Sequence, residues 1–231
     1  MSSPTSGRVG GFVPLSTVDW PGQLAATVFL RGCPWACSYC HNAHLQSTVG
    51  AGDDVVWSEF VAFLETRAGL LDAVVFSGGE PTMTHALPGW MTQVKTMGFA
   101  VGLHSGGADP ERFAAALTRA DWVGFDVKAP FDEYALVTGV ADSGTGALAS
   151  LRRLVASGTT FEARTTVATQ LLAEGVLERM AAELEREGVR RWVLQTCRTP
   201  EGGGSPAALT TVLDSVSLAA TFGSRFDLVV R

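Results

Sequence analysis

The chain has 231 residues, of which 46% are hydrophobic and 17% are charged, and its formal net charge is −6. This composition is typical of a globular protein with one large core. The acidic balance and the scattered arginines argue against nucleic-acid binding, which needs clustered Lys and Arg. The sequence has neither an apolar run long enough to span a membrane nor an apolar signal segment, so we expect a cytoplasmic protein without membrane contact.

Short β-rich runs alternate along the chain with amphipathic helical stretches. This alternation predicts a parallel sheet covered by helices. The predicted strands are 24–30, 73–76, 100–103, 122–127, 160–167 and 191–195, and the predicted helices are 56–71, 87–97, 110–119, 147–156 and 170–187. Six β/α units are fewer than the eight of a closed barrel, so we expect a partial, laterally open (β/α)6 TIM-like barrel.

The sequence shows no block typical of an interdomain linker. We therefore expect a single domain over residues 1–231, with a flexible N-terminus at about residues 1–10. Residues from about 205 to 231 would extend the barrel at its C-terminal side. Within them, the apolar run 226–230 could form a late strand.

Three cysteines lie within eight residues, directly after the first predicted strand. Cys33, Cys37 and Cys40 have the spacing C-x3-C-x2-C, which suits an iron-sulfur cluster. A cubane cluster has four irons, so three thiolates leave one iron without a protein ligand. An open iron indicates chemistry on a bound molecule rather than electron transfer alone.

Closely spaced cysteines also occur in zinc sites and in disulfide frameworks. His41 or His44 could complete a Cys3His zinc site, although a second short cysteine pair is missing. A disulfide framework fits poorly because the cysteines are few and we expect a reducing compartment. Cys197 lies far away in sequence, and we expect it to be a buried apolar thiol.

Polar and glycine-rich segments follow the other predicted strands at their C-terminal ends. They are residues 77–81, 104–107, 126–128 and 164–166. Parallel β/α proteins collect their active sites at this edge, so we expect these segments to meet the cysteine loop at one mouth. Each segment alone is weak evidence, because Gly78-Gly79 could be an ordinary turn and Asp126 with Lys128 a surface ion pair.

The cysteine loop, with Tyr39 before its last cysteine, and the bend Gly78-Gly79-Glu80-Pro81 resemble those of radical S-adenosylmethionine (SAM) enzymes. A narrower resemblance, from Gly11 to about Arg198, is to the glycyl-radical-enzyme activases of the anaerobic ribonucleoside-triphosphate reductase type. It rests on the segments 11–22 (GFVPLSTVDWPG), 40–42 (CHN), 126–130 (DVKAP), 162–166 (EARTT) and 192–195 (WVLQ).

The resemblance implies that Cys33, Cys37 and Cys40 hold one [4Fe-4S] cluster, whose open iron binds SAM. It further implies reductive cleavage of SAM to a 5′-deoxyadenosyl radical, which removes a glycine Cα hydrogen from a partner glycyl radical enzyme. Anaerobic ribonucleotide reductase is the expected partner. A reductant such as flavodoxin or ferredoxin would supply the electron.

The resemblance also implies contacts to SAM. Tyr39 would pack near the adenine, and the backbone of the bend Gly78-Gly79-Glu80 would approach the methionyl ammonium, because glycine lacks a Cβ. Lys128 and Arg164 are candidates for the carboxylate or the ribose hydroxyls. Asp126 would accept a hydrogen bond from SAM or orient the neighbouring lysine.

Two positions have less certain roles. Asn42 would either form a hydrogen bond near the cluster or cap the following helix. His104 begins the run His-Ser-Gly-Gly, where related activases often carry an Asp-Thr-Asn-Gly-like run. The missing carboxylate and amide weaken the expected contacts at this bend, and His104 would replace them as a hydrogen-bonding group or serve a structural role.

Two other functions stay open from the sequence. One is a radical SAM enzyme that acts on a small molecule, similar to 7-carboxy-7-deazaguanine synthase. The other is a non-catalytic metal-binding or electron-transfer module, which would hold zinc or a fully ligated cluster and would not cleave SAM.

Overall fold

The structure is a computed structural model that describes residues 8–50, 54–168, 171, 173–197 and 215–231. The described strands are β1 (Arg8–Val9), β2 (Gly11–Ser16), β3 (Ala25–Leu30), β4 (Val55–Val56), β5 (Ala73–Gly78), β6 (Ala100–Ser105), β7 (Trp122–Asp126), β8 (Thr160–Val167), β9 (Arg191–Thr196) and β10 (Asp227–Val230). The described α-helices are α1 (Trp57–Glu65), α2 (Leu87–Thr96), α3 (Pro110–Leu117), α4 (Ala135–Thr138), α5 (Ser143–Ser157), α6 (Val176–Arg186) and α7 (Ser215–Phe222). Short 3-10 helices cover Ala43–Leu45 and Pro81–Met83. None of the helices in these ranges is long and apolar enough to cross a membrane.

An eight-stranded sheet with the order β10-β9-β8-β7-β6-β5-β3-β2 forms the centre of the molecule. In this sheet β3 and β5 to β10 pair in parallel, and β2 pairs antiparallel with β3. Strands β1 and β4 form a separate antiparallel pair. Within the described ranges β2 and β10 stand at opposite ends of this order, so the wall is open between them. The predicted laterally open α/β fold is confirmed. Besides the six predicted strands, the run 226–230, which the sequence offered as a late strand, provides β10 as a seventh parallel strand.

Strand side chains alternate between a helix-covered face and an inner face. Val101, Leu103 and Phe125 belong to the main core beneath the helices. Their sequence neighbours His104, Gly124 and Asp126 point to the inner face. The register pairs His104 with Gly124 and Asp126 with Arg164. Because these pairs are at neighbouring positions of adjacent strands, their polar side chains share one side of the sheet.

The loop between β2 and β3 closes the inner face at the end opposite the strand C-termini. Trp20 from this loop stacks on Trp122 with ring centroids 5.3 Å apart, and it packs against the small cluster of Ala25, Ala73 and Val75. A Cβ at Gly102 would lie 2.9 Å from the Trp20 ring, so this glycine makes room for the indole. We call this loop, residues 17–24, the barrel plug; it contains residues 17–22 of the segment 11–22, one of the five on which the activase resemblance rests.

Several elements differ from their predicted extents. Arg8 and Val9 pair antiparallel with Val55–Val56, and residues 1–7 lie outside the described ranges. The flexible N-terminus at about residues 1–10 stays a prediction. The first predicted helix, 56–71, ends at Glu65. Residues 226–230 do provide a strand, β10, beside β9.

Helix α5 begins at Ser143, four residues before its predicted start. Gly144 and Gly146 lower the intrinsic helix propensity of this turn, which is why the sequence predicts a later start. The structure gives Gly144 a packing role, because a Cβ there would overlap the carbonyl oxygen of Phe131. A contact between distant segments thus overrides the local preference.

Trp20→Ala should lower the free energy of unfolding by about 2–3 kcal/mol, because it removes a packed ring and leaves a cavity. Urea denaturation followed by circular dichroism measures the loss. Val18→Ala is the matched control from the same loop, since Val18 is 70% exposed, and it should change stability by less than about 0.5 kcal/mol. Equal effects of the two changes would contradict the plug.

Candidate active site

A cavity of about 250 Å³ lies at the C-terminal ends of the central strands. Every residue predicted for the site lines it: Cys33, Cys37, Tyr39, Cys40, Asn42, Gly78, Gly79, Glu80, His104, Asp126, Lys128 and Arg164. Their chemical roles toward SAM stay predictions. The cavity brings together residues that span more than half of the sequence.

Backbone hydrogen bonds fix the cysteine loop on two sides. The N–H groups of Ala36 and Ser38 donate to the carbonyls of Thr138 and Val137 at the end of α4, at 2.9 and 3.3 Å. On the other side, Cys33 N–H donates to the carbonyl of Gln46 at 3.0 Å. The loop is thereby held in place by protein contacts alone.

The three cysteines of the loop are half-buried free thiols. Burial raises the pKa of Cys33 to about 11 and also raises the pKa of Cys37, while the nearby Lys128 ammonium acts in the opposite direction on both thiols. Metal binding would therefore have to displace the thiol protons. Three thiols on one cavity wall match the donor set of a cubane with an open iron.

A mononuclear site needs its ligands to converge on one ion. Among the residues that the structure describes, no group of three His, Cys, Asp or Glu side chains is placed to hold a metal ion in this way. In a cluster each thiolate binds a different iron, so its ligands need not converge on a point. The Cys3His zinc site that the sequence left open stays an alternative to the cluster.

The glycine-rich bend after β5 packs directly on the stem of the cysteine loop. The N–H groups of Gly79 and Glu80 donate to the carbonyls of Leu30 and Gly32 at 2.9 and 2.8 Å. Gly78 has φ +123°, and a Cβ there would overlap the Leu30 backbone, whereas a Cβ at Gly79 would lie 2.5 Å from the Gly32 carbonyl oxygen. Close packing against the stem of the cysteine loop therefore explains why both positions are glycine. This reason is separate from the approach to SAM that the sequence suggested.

Asn42, at the other end of the cysteine loop, also contacts the bend after β5. Its side-chain amide donates to the carbonyl of Gly78 at 3.3 Å. Asn42 stands at the start of the 3-10 helix Ala43–Leu45, but its side chain makes no capping hydrogen bond. Of the two roles that the sequence left open, the structure shows the hydrogen bond beside the loop and no cap.

Glu80 connects the bend after β5 with the bend after β6. Its carboxylate is buried and accepts hydrogen bonds from Ser105 Oγ at 2.8 Å, Gly106 N–H at 2.9 Å and Thr82 Oγ at 2.7 Å. Burial raises the pKa of Glu80, although these hydrogen bonds oppose the shift. Both carboxylate oxygens are engaged within the protein, so Glu80 holds the cavity wall together.

Asp126 lies between two cations on the inner face. Its Oδ1 is 3.0 Å from Arg164 Nη2 and its Oδ2 is 3.5 Å from Lys128 Nζ. Burial works against ionisation, but the two cations hold the pKa of Asp126 below its ordinary value. The Lys128 side chain is 14% exposed, and Asp126 raises its pKa well above the ordinary value. Asp126 and Lys128 are therefore both charged at neutral pH.

The guanidinium of Arg164 is largely occupied by protein partners. Besides Asp126 it donates to the carbonyl of Gly124 at 3.2 Å, and its side chain is only 7% exposed. A Cβ at Gly124 would lie 2.6 Å from Arg164 Cζ, so the glycine provides the space for this group. Lys128 is thus better placed than Arg164 to bind a carboxylate that enters the cavity.

His104 is held neutral beside these charges. Its Nε2 lies 2.7 Å from the carbonyl oxygen of Asp19 and 3.0 Å from Arg164 Nη1. The Asp19 carbonyl can only accept and the Arg164 guanidinium can only donate, so Nε2 pairs with one of these two neighbours in either tautomer. Burial, and then Arg164, lowers the pKa of His104 to about 4. His104 therefore lies as a neutral imidazole between the barrel plug and the inner face.

Sequence reasoning missed some cavity residues and misjudged the burial of one cysteine outside the cavity lining. Asp19 and Trp35 line the cavity, and the position of Trp35 between two cysteines was the available signal. Cys197, expected to be a buried thiol, is only half-buried. It follows β9, and burial raises the pKa of this thiol. Burial likewise raises the pKa of Tyr39 to about 12.

Gly78→Ala should cost at least about 2 kcal/mol of unfolding free energy, because the new Cβ overlaps backbone atoms and φ is positive. Gly98→Ala is the matched control, since Gly98 also has positive φ but no atom lies within 4 Å of the added Cβ. It should cost about 1 kcal/mol, the penalty of the left-handed conformation alone. Thermal and urea unfolding measure both, and equal losses would argue against tight packing of the bend.

His104 should make stability depend on pH. Its pKa falls from the ordinary value of 6.5 to about 4 on folding, so in this interval the unfolded chain binds a proton that the folded chain does not. The contribution of the neutral His104 to the free energy of unfolding is therefore complete above pH 6.5 and is lost as the pH falls toward 4. Urea denaturation at a series of pH values measures the slope.

His104→Gln should remove this component of the slope, because glutamine does not titrate. His85→Gln, a change at an exposed histidine, is the control and should keep the wild-type slope. The same slope in wild type and His104→Gln would show that His104 is not the titrating group.

The sequence matches the family model of the radical SAM superfamily over residues 27–181. A candidate glycyl-radical enzyme activating enzyme of Methanocaldococcus jannaschii is 36% identical over 131 residues, which are 54% of this chain and 52% of that protein. A pyruvate formate-lyase-activating enzyme of Clostridium pasteurianum is 28% identical over 147 residues, which are 60% of each protein. The match thus spans between half and three fifths of the length of these relatives.

Among solved structures, SuiB of Streptococcus suis bound to S-adenosylmethionine superposes with a TM-score of 0.62 at 11% identity. The superposition covers 87% of this chain and 48% of that one. At this identity the likeness shows the fold alone, and it agrees with the partial barrel. Because the family model matches well over half of the residues, the chain belongs to the radical SAM superfamily.

Proposed function

We propose that this protein is a glycyl-radical-enzyme activase that cleaves SAM reductively and abstracts a glycine Cα hydrogen in a partner enzyme. The observation that carries the proposal is the single cavity in which three free thiols face a charged and glycine-rich wall. Relatives named as activating enzymes support the class. We propose one [4Fe-4S] cluster and SAM as cofactors, within a single domain over residues 1–231.

A bound and reduced [4Fe-4S] cluster supplies one electron for homolysis of the carbon-sulfur bond of SAM. Cys33, Cys37 and Cys40 would hold the cluster. The protein fixes their loop through the carbonyls of α4 and through the bend after β5, so the thiols are positioned before any ligand binds. Such preorganisation reduces the entropic cost of bringing the reacting groups together.

The opposite wall offers complementary groups for SAM. The Lys128 ammonium, oriented by Asp126, would bind the carboxylate. Tyr39 is half-buried on the cavity wall and would contact the adenine. Arg164 and His104 would mainly keep Asp126 and the inner face in place, because their polar atoms already have protein partners.

The open side of the barrel favours a protein substrate. The described strands β2 and β10 do not pair with each other, so a loop of another protein has a lateral route toward the cavity. We propose anaerobic ribonucleotide reductase as the partner on the sequence resemblance, and a flavodoxin or ferredoxin as the reductant. The Clostridium relative is named for pyruvate formate-lyase, which is therefore the second partner to test.

Anaerobic reconstitution with iron and sulfide, followed by reduction in the presence of SAM, should give 5′-deoxyadenosine. Adding either partner enzyme should give a glycyl radical doublet in electron paramagnetic resonance. Cluster-loaded protein that forms no 5′-deoxyadenosine would overturn the radical SAM activity. Product formation with a modified small molecule and no glycyl radical would instead favour the enzyme class typified by 7-carboxy-7-deazaguanine synthase.

Cys37→Ala should lose the cluster and all 5′-deoxyadenosine formation, because a cubane needs its third thiolate here. Its circular dichroism should stay that of the wild type, since the loop backbone is held by carbonyls of α4. Cys197→Ala is the matched control and should keep iron, sulfide and activity. Equal iron loss in both variants, or global unfolding of Cys37→Ala, would contradict these roles.

A further inference from the structure

Trp35 is an apolar side chain in the middle of the proposed cluster-binding loop. It lies between Cys33 and Cys37 in sequence and is 5% exposed, yet it borders the cavity. Its ring packs edge-on against Tyr134, with centroids 6.0 Å apart and an interplanar angle of 73°. The indole is thus fixed in one orientation beneath the loop.

Gly106, in the bend after β6, provides the space that this indole fills. A Cβ at Gly106 would lie 2.8 Å from Trp35 Cη2 and closer still to Cζ3, which is well inside van der Waals contact. The bend itself is fixed, because Gly106 N–H donates to the buried Glu80 carboxylate at 2.9 Å. Trp35 and Gly106 are therefore matched in size, and the Gly-Gly end of the His-Ser-Gly-Gly run has a steric partner in the cysteine loop.

One face of the buried indole lies near the Lys128 ammonium. Lys128 Nζ lies 5.7 Å from the ring centroid, within cation–π range, and 3.5 Å from Asp126 Oδ2. The Lys128 backbone is held too, since its N–H donates to Tyr134 Oη at 3.1 Å. The ammonium therefore has two fixed neighbours, one apolar and one anionic, and its remaining side faces the cavity.

We propose that Trp35 is a positioning residue for ligand binding: its indole, admitted by Gly106, keeps the Lys128 ammonium directed into the cavity, where it binds the carboxylate of the ligand. Without the ring, the ammonium is free to move toward Asp126 and away from the cavity. The inference rests on the proposed function in taking SAM as that ligand. It identifies Trp35, which lies inside the cysteine motif and is not itself a cluster ligand, as a residue that affects SAM affinity.

Two double-mutant cycles test the inference, with the SAM dissociation constant of anaerobically reconstituted protein measured by calorimetry. Trp35→Ala should weaken SAM binding about tenfold, the size of a desolvated cation–π contact. Gly106→Ala should weaken it to a similar degree, because its Cβ displaces the ring. In the Trp35→Ala background, Gly106→Ala should have little further effect.

The second cycle asks whether Trp35 acts through Lys128. Lys128→Met should weaken SAM binding, and adding Trp35→Ala to it should weaken binding no further. Trp35→Phe keeps an aromatic face and should restore part of the affinity lost in Trp35→Ala. Iron content and the cluster spectrum without SAM should remain those of the wild type in all variants, which a general structural defect would not allow.

Additive effects in either cycle would overturn the positioning role, because independent residues give no coupling. If Trp35→Ala loses iron, the first cycle is repeated with Trp35→Phe in its place and Gly106→Ala as the second change. Additive effects of these two changes would likewise overturn the positioning role. Failure of cluster-loaded wild type to bind SAM would overturn the proposed function together with this inference. If the wild type binds SAM normally and the effects of the paired changes are additive, only the inference about Trp35 is overturned.

Discussion

The cavity depends on the contact between the bend after β5 and the stem of the cysteine loop. Gly79 and Glu80 donate backbone hydrogen bonds to Leu30 and Gly32, and the Glu80 carboxylate then extends the link to the bend after β6. A buried carboxylate is costly unless its oxygens accept several hydrogen bonds, and here both do. Three strand ends are thereby joined into one wall, on which the thiols and the cations keep fixed positions.

Glycines make this wall possible by leaving space for other groups. Gly78 and Gly79 leave space for the backbone of the cysteine loop. Gly124 leaves space for the Arg164 guanidinium, and Gly106 for the Trp35 ring. In each case the position of a missing Cβ is filled by an atom from a distant part of the chain. The glycine content of the strand ends is thus a consequence of close packing around the cavity, in addition to any requirement of turn geometry.

Electrostatic balance on the inner face is the second constraint. Asp126 compensates Lys128 and Arg164, while His104 stays neutral between Arg164 and the Asp19 carbonyl. Burial, and then repulsion between a protonated imidazole and Arg164, lower the pKa of His104. The inner face thus favours an anionic group near Lys128 and tolerates little additional positive charge.

The sequence by itself determined the fold class and the edge of the sheet at which the predicted residues lie, whereas Asp19 and Trp35 were missed. Alternating β and α patterns give a parallel sheet, and parallel strands bring their C-terminal ends to one edge, so each segment predicted there lines the cavity. Only the tertiary structure decided which of these groups face a ligand and which hold the wall. Glu80, Arg164 and His104 are occupied by protein partners, and Trp35 gains its place through Gly106. The physical reason is that such contacts join residues far apart in sequence, whose distances follow from strand register and loop packing and from no local pattern.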